Sequence, residues 1–447
     1  MTRSALPALV GVVAVLTASA CSLAPAADDS TQTLVVGYQS KTINTVTAGT
    51  LLRAKGFLEK RLAAVGKFHV DWQDFDTGAP ITSGMLAGKI QIGSMGDYPL
   101  LINGSRAQAN PDTETSMLSV TGSSARGSLN SVVVAPGSPL QHLTDLRGKR
   151  ISASVGSAGH GTVVTALSRA GVAGHDYTVI NQQPQVGASA LESGQIDALA
   201  QFVAWPGLLV QQGKARLLYD GGELGTPTLH GVVANTKYAA SNPAVIRAFL
   251  EAQLDATDFQ REHPLDAAQE VAKASGLPAE VVYQYNGPGG TDPNPSLTAP
   301  LIGALKSDVP YLRSIGQFGA TLDIDRFVDP KPLADAQAAH GGFHYDANTP
   351  PPSPTSEIWF DGATTTETFP DATALIRTLA GTGRKVKAAY VSDVLTGTRW
   401  YADRSLWLRD GATLVPFAGP DARDRYRVEH PGAIPVDYRT LLEEARR

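Results

Sequence analysis

The sequence predicts an α/β protein built as two lobes in series, followed by a small C-terminal α+β domain. Three observations carry this. From Leu34 onward, short β-type runs alternate with helix-type segments, the pattern of βαβ units. A second set of such runs begins near Ser131 and contains a Gly-rich turn, "SVGSAGHGT", at its strand-to-helix handover. A Pro-rich stretch, "HYDANTPPPSPTSE", then separates these units from the chain's last segment.

Element by element, "TLVVGYQ" reads as a strand, and "GTLLRAKGFLEKRLAAVG" as an amphipathic helix with Leu51, Leu52, Leu58 and Leu62 on one face. "FHVDWQDF" is a strand, "ITSGMLAGK" a short helix, and "IQIGSMGDYP" a strand ending in a loop, so a parallel sheet is expected. In the second set, "SVVVAPGSP" and "ISASVGS" are strands. "GTVVTALSRAGV" is a helix starting near Gly161, and "YTVINQQP" and "IDALAQFV" are further strands. "SNPAVIRAFLEAQL" opens a strong helix, with Ser241 or Asn242 able to cap it and Pro243 suited to its first turn. The final unit contains "IWFDG", a helix in "PDATALIRTLAGTG", and a β-rich remainder.

Composition sets the class. The 447 residues are 43% hydrophobic and 18% charged, which indicates packed cores and excludes a disordered or fibrous chain. The formal net charge is −5 and there is no Lys/Arg stripe, so nucleic acid is not an expected partner.

The N-terminus, "MTRSALPALVGVVAVLTASAC", has one Arg, an apolar stretch too short to span a bilayer, and small residues directly before Cys21. Cys21 is the only cysteine, so it cannot form an internal disulfide, and it stands where a lipobox places the lipidated residue. A lipid-anchored protein of the cell envelope is expected. Cleavage of an ordinary signal peptide at an alanine is the alternative.

The turn "SVGSAGHGT" holds three glycines and two serines where a strand meets a helix. Unpaired amides at a helix start, approached closely because glycine has no side chain, suit a carboxylate, phosphate or sulfonate. Ser157 adds a hydroxyl and His160 a ring donor. Alternatively, glycine and serine only form a tight turn with a satisfied cap. "GSAGHG" matches neither a dinucleotide nor a phosphate-loop fingerprint.

"GFLEKRLAAVGKFHVDWQDFDTGAPITSGMLAGKIQIGSMGDYPLL", "DLRGKRISASVGSAGHGTVVTALSRAGV" and "LESGQIDALAQFVAWPG" resemble the taurine, aliphatic sulfonate and nitrate-type substrate-binding proteins of ABC importers. The resemblance, over about 34–327, implies a two-lobed type II periplasmic-binding fold that closes on a small anionic solute and delivers it to an ABC permease. It implies ligand contacts from Gln39, Thr77, Gly78, Gly96, Asp97, Ser123 and Ser124 in the first lobe, and from Ser157, Ala158, Gly159, His160 and Trp205 in the second. Asp97 would meet a ligand amine or cap its own loop, and Trp205 would form an apolar wall or belong to the core. A carboxylate introduced at Gly159 is expected to block the site with the fold intact. With the leader read as a signal peptide over 1–21 and the stretch after it as a tether over 22–33, the expected organisation continues with a first lobe over 34–130 and 224–340. The second lobe takes 131–223, the linker 341–356 and the C-terminal domain 357–447, with hinges near 120–134 and 221–233.

No nucleophile elbow or H-E-x-x-H pattern is present, so no catalytic residue is expected, and neither is a cofactor. The phrase "AAYVSDVLTGTRWYADRSLWLRDG" resembles the copper-handling accessory lipoproteins of nitrous oxide reductase, over about 358–426. That resemblance implies an alternative function in maturing an envelope metalloenzyme. Yet no Met or Cys follows Met117, and the C-terminal domain has one histidine, His430. Soft Cu(I) sites draw on sulfur, so no metal site is expected there.

Overall fold

The computed structural model describes residues 31–318, 321–351, 353 and 356–446; Cys21 and the expected leader lie outside them. The first lobe begins with β1 (Gln32–Tyr38), α1 (Thr50–Ala54), α2 (Phe57–Leu62), β2 (Phe68–Asp74), α3 (Gly78–Leu86), β3 (Ile92–Gly96), α4 (Asp97–Ala107) and β4 (Thr115–Ser124). The single helix expected over α1 and α2 is split at Gly56, whose φ of 65° ends one segment and starts the next. Where a loop was expected after β3, α4 continues at once from the strand.

The second lobe runs β5 (Asn130–Val134), β6 (Arg150–Ala153), α5 (Ala158–Arg169), β7 (Thr178–Asn181), α6 (Pro184–Glu192), β8 (Ala198–Phe202), α7 (Trp205–Gln211) and β9 (Arg216–Asp220). The chain then returns through β10 (Thr228–Asn235) and the helices α8 (Thr236–Ser241), α9 (Pro243–Glu262), α10 (Pro264–Ser275), α11 (Ala279–Asn286) and α12 (Ala299–Ser314).

The strand orders are β2-β1-β3-β10-β4 and β7-β6-β8-β5-β9. Pairing is parallel within β1–β3 and within β6–β8, but β10 is antiparallel to β3 and β4, and β5 is antiparallel to β8 and β9. The sheets are therefore mixed, because β5 and β10 arrive from the opposite lobe and run against the strands they join. Every residue of the central strands β3 and β8 is buried.

The C-terminal unit has a four-stranded sheet containing Ser356–Phe360, Val386–Ser392 and Arg399–Tyr401, and a three-stranded sheet around Leu406–Asp410. It packs on both lobes. Successive side chains of a strand point to opposite faces, and the strand at Arg399–Tyr401 uses this: Trp400 enters the cluster of Val133, Leu209 and Leu217, while Tyr401 joins Tyr283 and Tyr285. Arg399 and Glu357 form an ion pair at 3.1 Å with both side chains 1% exposed. Arg399 also donates to Pro288 O at 2.9 Å, and Glu357 accepts from the Tyr283 hydroxyl at 2.7 Å. The stretch ahead of this unit is not a free spacer along its length, since Tyr345 is buried and donates to Asp258 at 2.6 Å, and Asn294 holds Asp346 O.

Removing one member of a buried ion pair leaves the other charge without compensation. Arg399→Ala should therefore destabilise the protein by about 3–5 kcal/mol, and Arg399→Met combined with Glu357→Leu should recover much of that loss. Because the cores are shared, calorimetry should show the C-terminal unit and the lobes melting in one transition; two separated transitions would refute the shared core.

Candidate functional site

Three helices of the two lobes begin at one cavity of about 190 Å³. From the first lobe come Thr77 and Gly78 at the start of α3 and Gly96 at the start of α4; from the second come Ser157 and Ala158 at the start of α5. The α5 start lies three residues earlier than the pattern suggests, with Ser157 as N-cap: its hydroxyl oxygen accepts from His160 N at 3.3 Å, leaving the hydroxyl proton to donate. Thr77 caps α3 by position only, because its buried Oγ1 has no hydrogen-bond partner. Such a hydroxyl costs free energy until something binds it. The first amides of each helix also lack intrahelical acceptors, and the three helix dipoles add partial positive charge.

Gln39 closes the floor at the end of β1. Its side chain donates to Ser94 O at 3.2 Å and accepts from Thr42 at 3.3 Å, so one amide proton remains for other use. His230, on β10, forms the wall beside Gly96. Its Nδ1 accepts from the Asn44 amide, which puts the proton of the neutral ring on Nε2. Burial holds the His230 pKa down at about 3. Pro99, Ile102 and Phe202 supply apolar surface.

The remaining residues expected at the site lie elsewhere. Asp97 is 2% exposed and fully engaged: Oδ1 accepts from Tyr98 N at 2.8 Å, and Oδ2 from the Thr228 hydroxyl at 2.6 Å and Leu229 N at 3.3 Å. It lines a separate groove together with Tyr98 and Asp308. Burial, then the Asp97 charge, raises the Asp308 pKa. Ser123 and Ser124 face a third groove, where Ser124 Oγ accepts from the backbone of Gly127 and Ser128. Trp205 begins α7 and packs against the core of the second lobe.

Gly159 and Gly161 serve packing. A Cβ on Gly159 would lie 2.8 Å from the main chain of Gln201 in β8, and one on Gly161 would lie 1.8 Å from the Tyr98 ring of the other lobe. The first lets α5 approach its sheet, and the second lets α4 approach α5. His160 is buried behind the turn, where its Nδ1 accepts from Gly156 N and the ring meets the Tyr311 hydroxyl. Burial lowers its pKa to about 4.

Thr42, Thr82, Arg106, Gln183, His230 and Gln317 line the cavity without having been singled out in the sequence, and Ser154, the first residue of the Gly-rich turn, joins them. Arg106 had an available signal, as it follows Pro99 and Ile102 at i+7 and i+4 on one helix face. His230 and Gln317 had none, because only the fold brings them there. Elsewhere, His340 is buried and paired with Asp255, and His430 stacks on Tyr426 and pairs with Asp410. No cluster of three or more metal-ligating side chains occurs among the described residues.

Comparison with known proteins follows the same lines. The model of the family described as NMT1/THI5 like matches residues 113–267. An aliphatic sulfonates-binding protein of Escherichia coli (strain K12) is 29% identical over 278 residues, which span 62% of this chain and 81% of the relative. The taurine-binding periplasmic protein of the same strain is 29% identical over 219 residues, 47% of this chain and 65% of the relative. Among solved structures, the alkanesulfonate-binding protein of Xanthomonas axonopodis pv. citri bound to MOPS aligns at a TM-score of 0.57 and 23% identity, over 67% of this chain and 98% of that one. The fold is that of the two-lobed periplasmic-binding proteins, with the C-terminal sheets and helices as an addition.

Two outcomes test this geometry. Gly159→Ala should lower thermal stability by about 1–3 kcal/mol through overpacking against β8; a variant of unchanged melting temperature would remove Gly159 from the packing. A carboxylate there would disturb the fold as well as the site. His160 and His230 have folded pKa values below the unfolded 6.5, so each contributes stability above about pH 6.5 that is lost as pH falls toward 4 and 3. The raised Asp220 and Asp308 carboxyls act in the opposite sense, so the readout is a difference: the stability of the parent relative to His230→Gln should fall as pH drops from 6.5 toward 3 and stay level from pH 7 to 8.

Proposed function

We propose that the chain is the extracytoplasmic solute-binding component of an ABC importer, and that it captures a small organic anion of the sulfonate class between its lobes. The observation that carries this reading is the unpartnered Thr77 hydroxyl among three helix starts in one cavity, with neutral donors from Ser157, Gln39 and His230 around them. Such a site offers a tetrahedral anion many donors and few counter-charges, and it gains strength as closure excludes water. A helix terminus contributes roughly 0.3–2 kcal/mol to binding a charge, whereas micromolar affinity needs about 8 kcal/mol. Hydrogen bonds in a closed cleft must supply the remainder. The sulfonate-binding relatives and the MOPS-bound neighbour support the same ligand class, and the permease is the partner that the class implies.

Thermal-shift and calorimetric titration with methanesulfonate, propane-1-sulfonate, taurine and nitrate test the reading. A sulfonate should stabilise the protein, and Thr77→Val or Ser157→Ala should weaken its binding by roughly 10- to 100-fold, the range for a hydrogen bond to a charged group. Absence of binding by every one of these anions would refute it.

Anchoring is a further part of the proposal. Cys21, lipidated after cleavage of the leader, would hold the protein at the outer face of the cytoplasmic membrane. No described helix is long and apolar enough to cross a membrane. Cys21→Ser should move the protein from the membrane fraction to the soluble one; a variant that is processed and sediments like the parent would refute the lipid anchor.

A further inference from the structure

The helix starts and the rest of the cavity lining both favour negative charge, and this bears on which sulfonate it accepts. No Asp or Glu lines it among the described residues. Asp97, next to Gly96 in sequence, spends both oxygens on Tyr98 N, Thr228 and Leu229 N and faces another groove, and Asp76, next to Thr77, is exposed and off the lining. An ammonium group on the ligand would meet no counter-charge.

The cation on the lining is Arg106. Pro99, Ile102 and Arg106 share one face of α4, so an apolar strip leads away from the helix start toward the guanidinium. From Pro99 to Arg106 the helix rises about 10 Å, and the arginine side chain leans back toward the N-terminus along that face. Arg106 is exposed, and its partner among the described residues is the neutral amide of Gln317, at a long 3.5 Å. Gln317 also lines the cavity, and the Gly156 turn of the second lobe lies over Ile102 and Gln317.

Resting on the sulfonate reading, we infer that the site is built for a short alkanesulfonate whose far end carries a second negative charge, a carboxylate, held by Arg106, and that it disfavours amino-sulfonates of the same length. The sulfonate occupies the helix starts, the methylenes lie on Pro99 and Ile102, and the carboxylate meets the guanidinium.

Three probes of equal chain length test this by calorimetry on the full chain at low salt: 3-sulfopropanoate, propane-1-sulfonate and 3-aminopropane-1-sulfonate. The expected order of affinity is the order given, with 3-sulfopropanoate tighter than propane-1-sulfonate by roughly 1.5- to fivefold, the range for a charge pair that keeps one face in water. Arg106→Gln should bring those two probes to the same affinity, and Arg106→Lys should keep part of the difference. The inference is overturned if the amine binds as tightly as propane-1-sulfonate, or if the preference for 3-sulfopropanoate is absent or persists in Arg106→Gln. Binding of propane-1-sulfonate without a gain for 3-sulfopropanoate sinks this inference alone, whereas failure of all three probes sinks the sulfonate reading with it.

Discussion

A buried carboxylate at the crossing between the lobes constrains much of this structure. Asp220 ends β9, 1% exposed, at the point where the chain leaves the second lobe. Burial, and then the charge of Asp393, raise its pKa to about 6. A charge in such a place needs donors. Gly222 N supplies one at 2.9 Å, and the hydroxyls of Thr396 and Thr398, from the C-terminal unit, supply two more at 2.8 and 2.6 Å. The C-terminal unit thus completes the crossing, and the Trp400–Tyr401 alternation and the Arg399–Glu357 pair fix it on both lobes at once. The relative placement of the helix starts in the cleft depends on that junction.

The cavity shows how a protein can present positive potential with few formal charges. Its donors are backbone amides, hydroxyls, an amide side chain and an imidazole kept neutral by burial. None of them requires a compensating carboxylate, so the cavity avoids the desolvation cost of an empty charged pair. The guanidinium stands where one side remains hydrated. The glycines of the turn act indirectly, since the contacts at Gly159 and Gly161 bring α5 close enough to its sheet and to α4 for the three helix starts to converge.

Much of the fold was legible because βαβ alternation and hydrophobic runs are local signals, and the resemblance supplied the two-lobed arrangement. What escaped had physical causes. The segment forming α4, "DYPLLINGSRA", contains Pro, Asn, Gly and Ser, all weak helix formers, and tertiary contacts override them: Asn103 is buried and accepts from Thr115 at 2.6 Å. Missing α4 meant missing Arg106. At the site, the residues at helix starts were readable because a cap and a turn have sequence signatures, whereas His230 and Gln317 reach the cavity through long-range topology. Trp400 was readable as a core residue, but nothing local shows that its core belongs to the second lobe.

The position of Thr396, Thr398 and Arg399 near the end of the chain also carries a temporal meaning. Synthesis delivers β1 to β10 long before these residues, and chains generally fold by units as they emerge. During that interval the Asp220 carboxylate has no hydroxyl partners, and Tyr283 and Tyr285 have no aromatic lid. The two lobes can gather their own sheets while the joint between them stays unfinished. The C-terminal unit therefore acts as a keystone for a joint whose other residues are made much earlier.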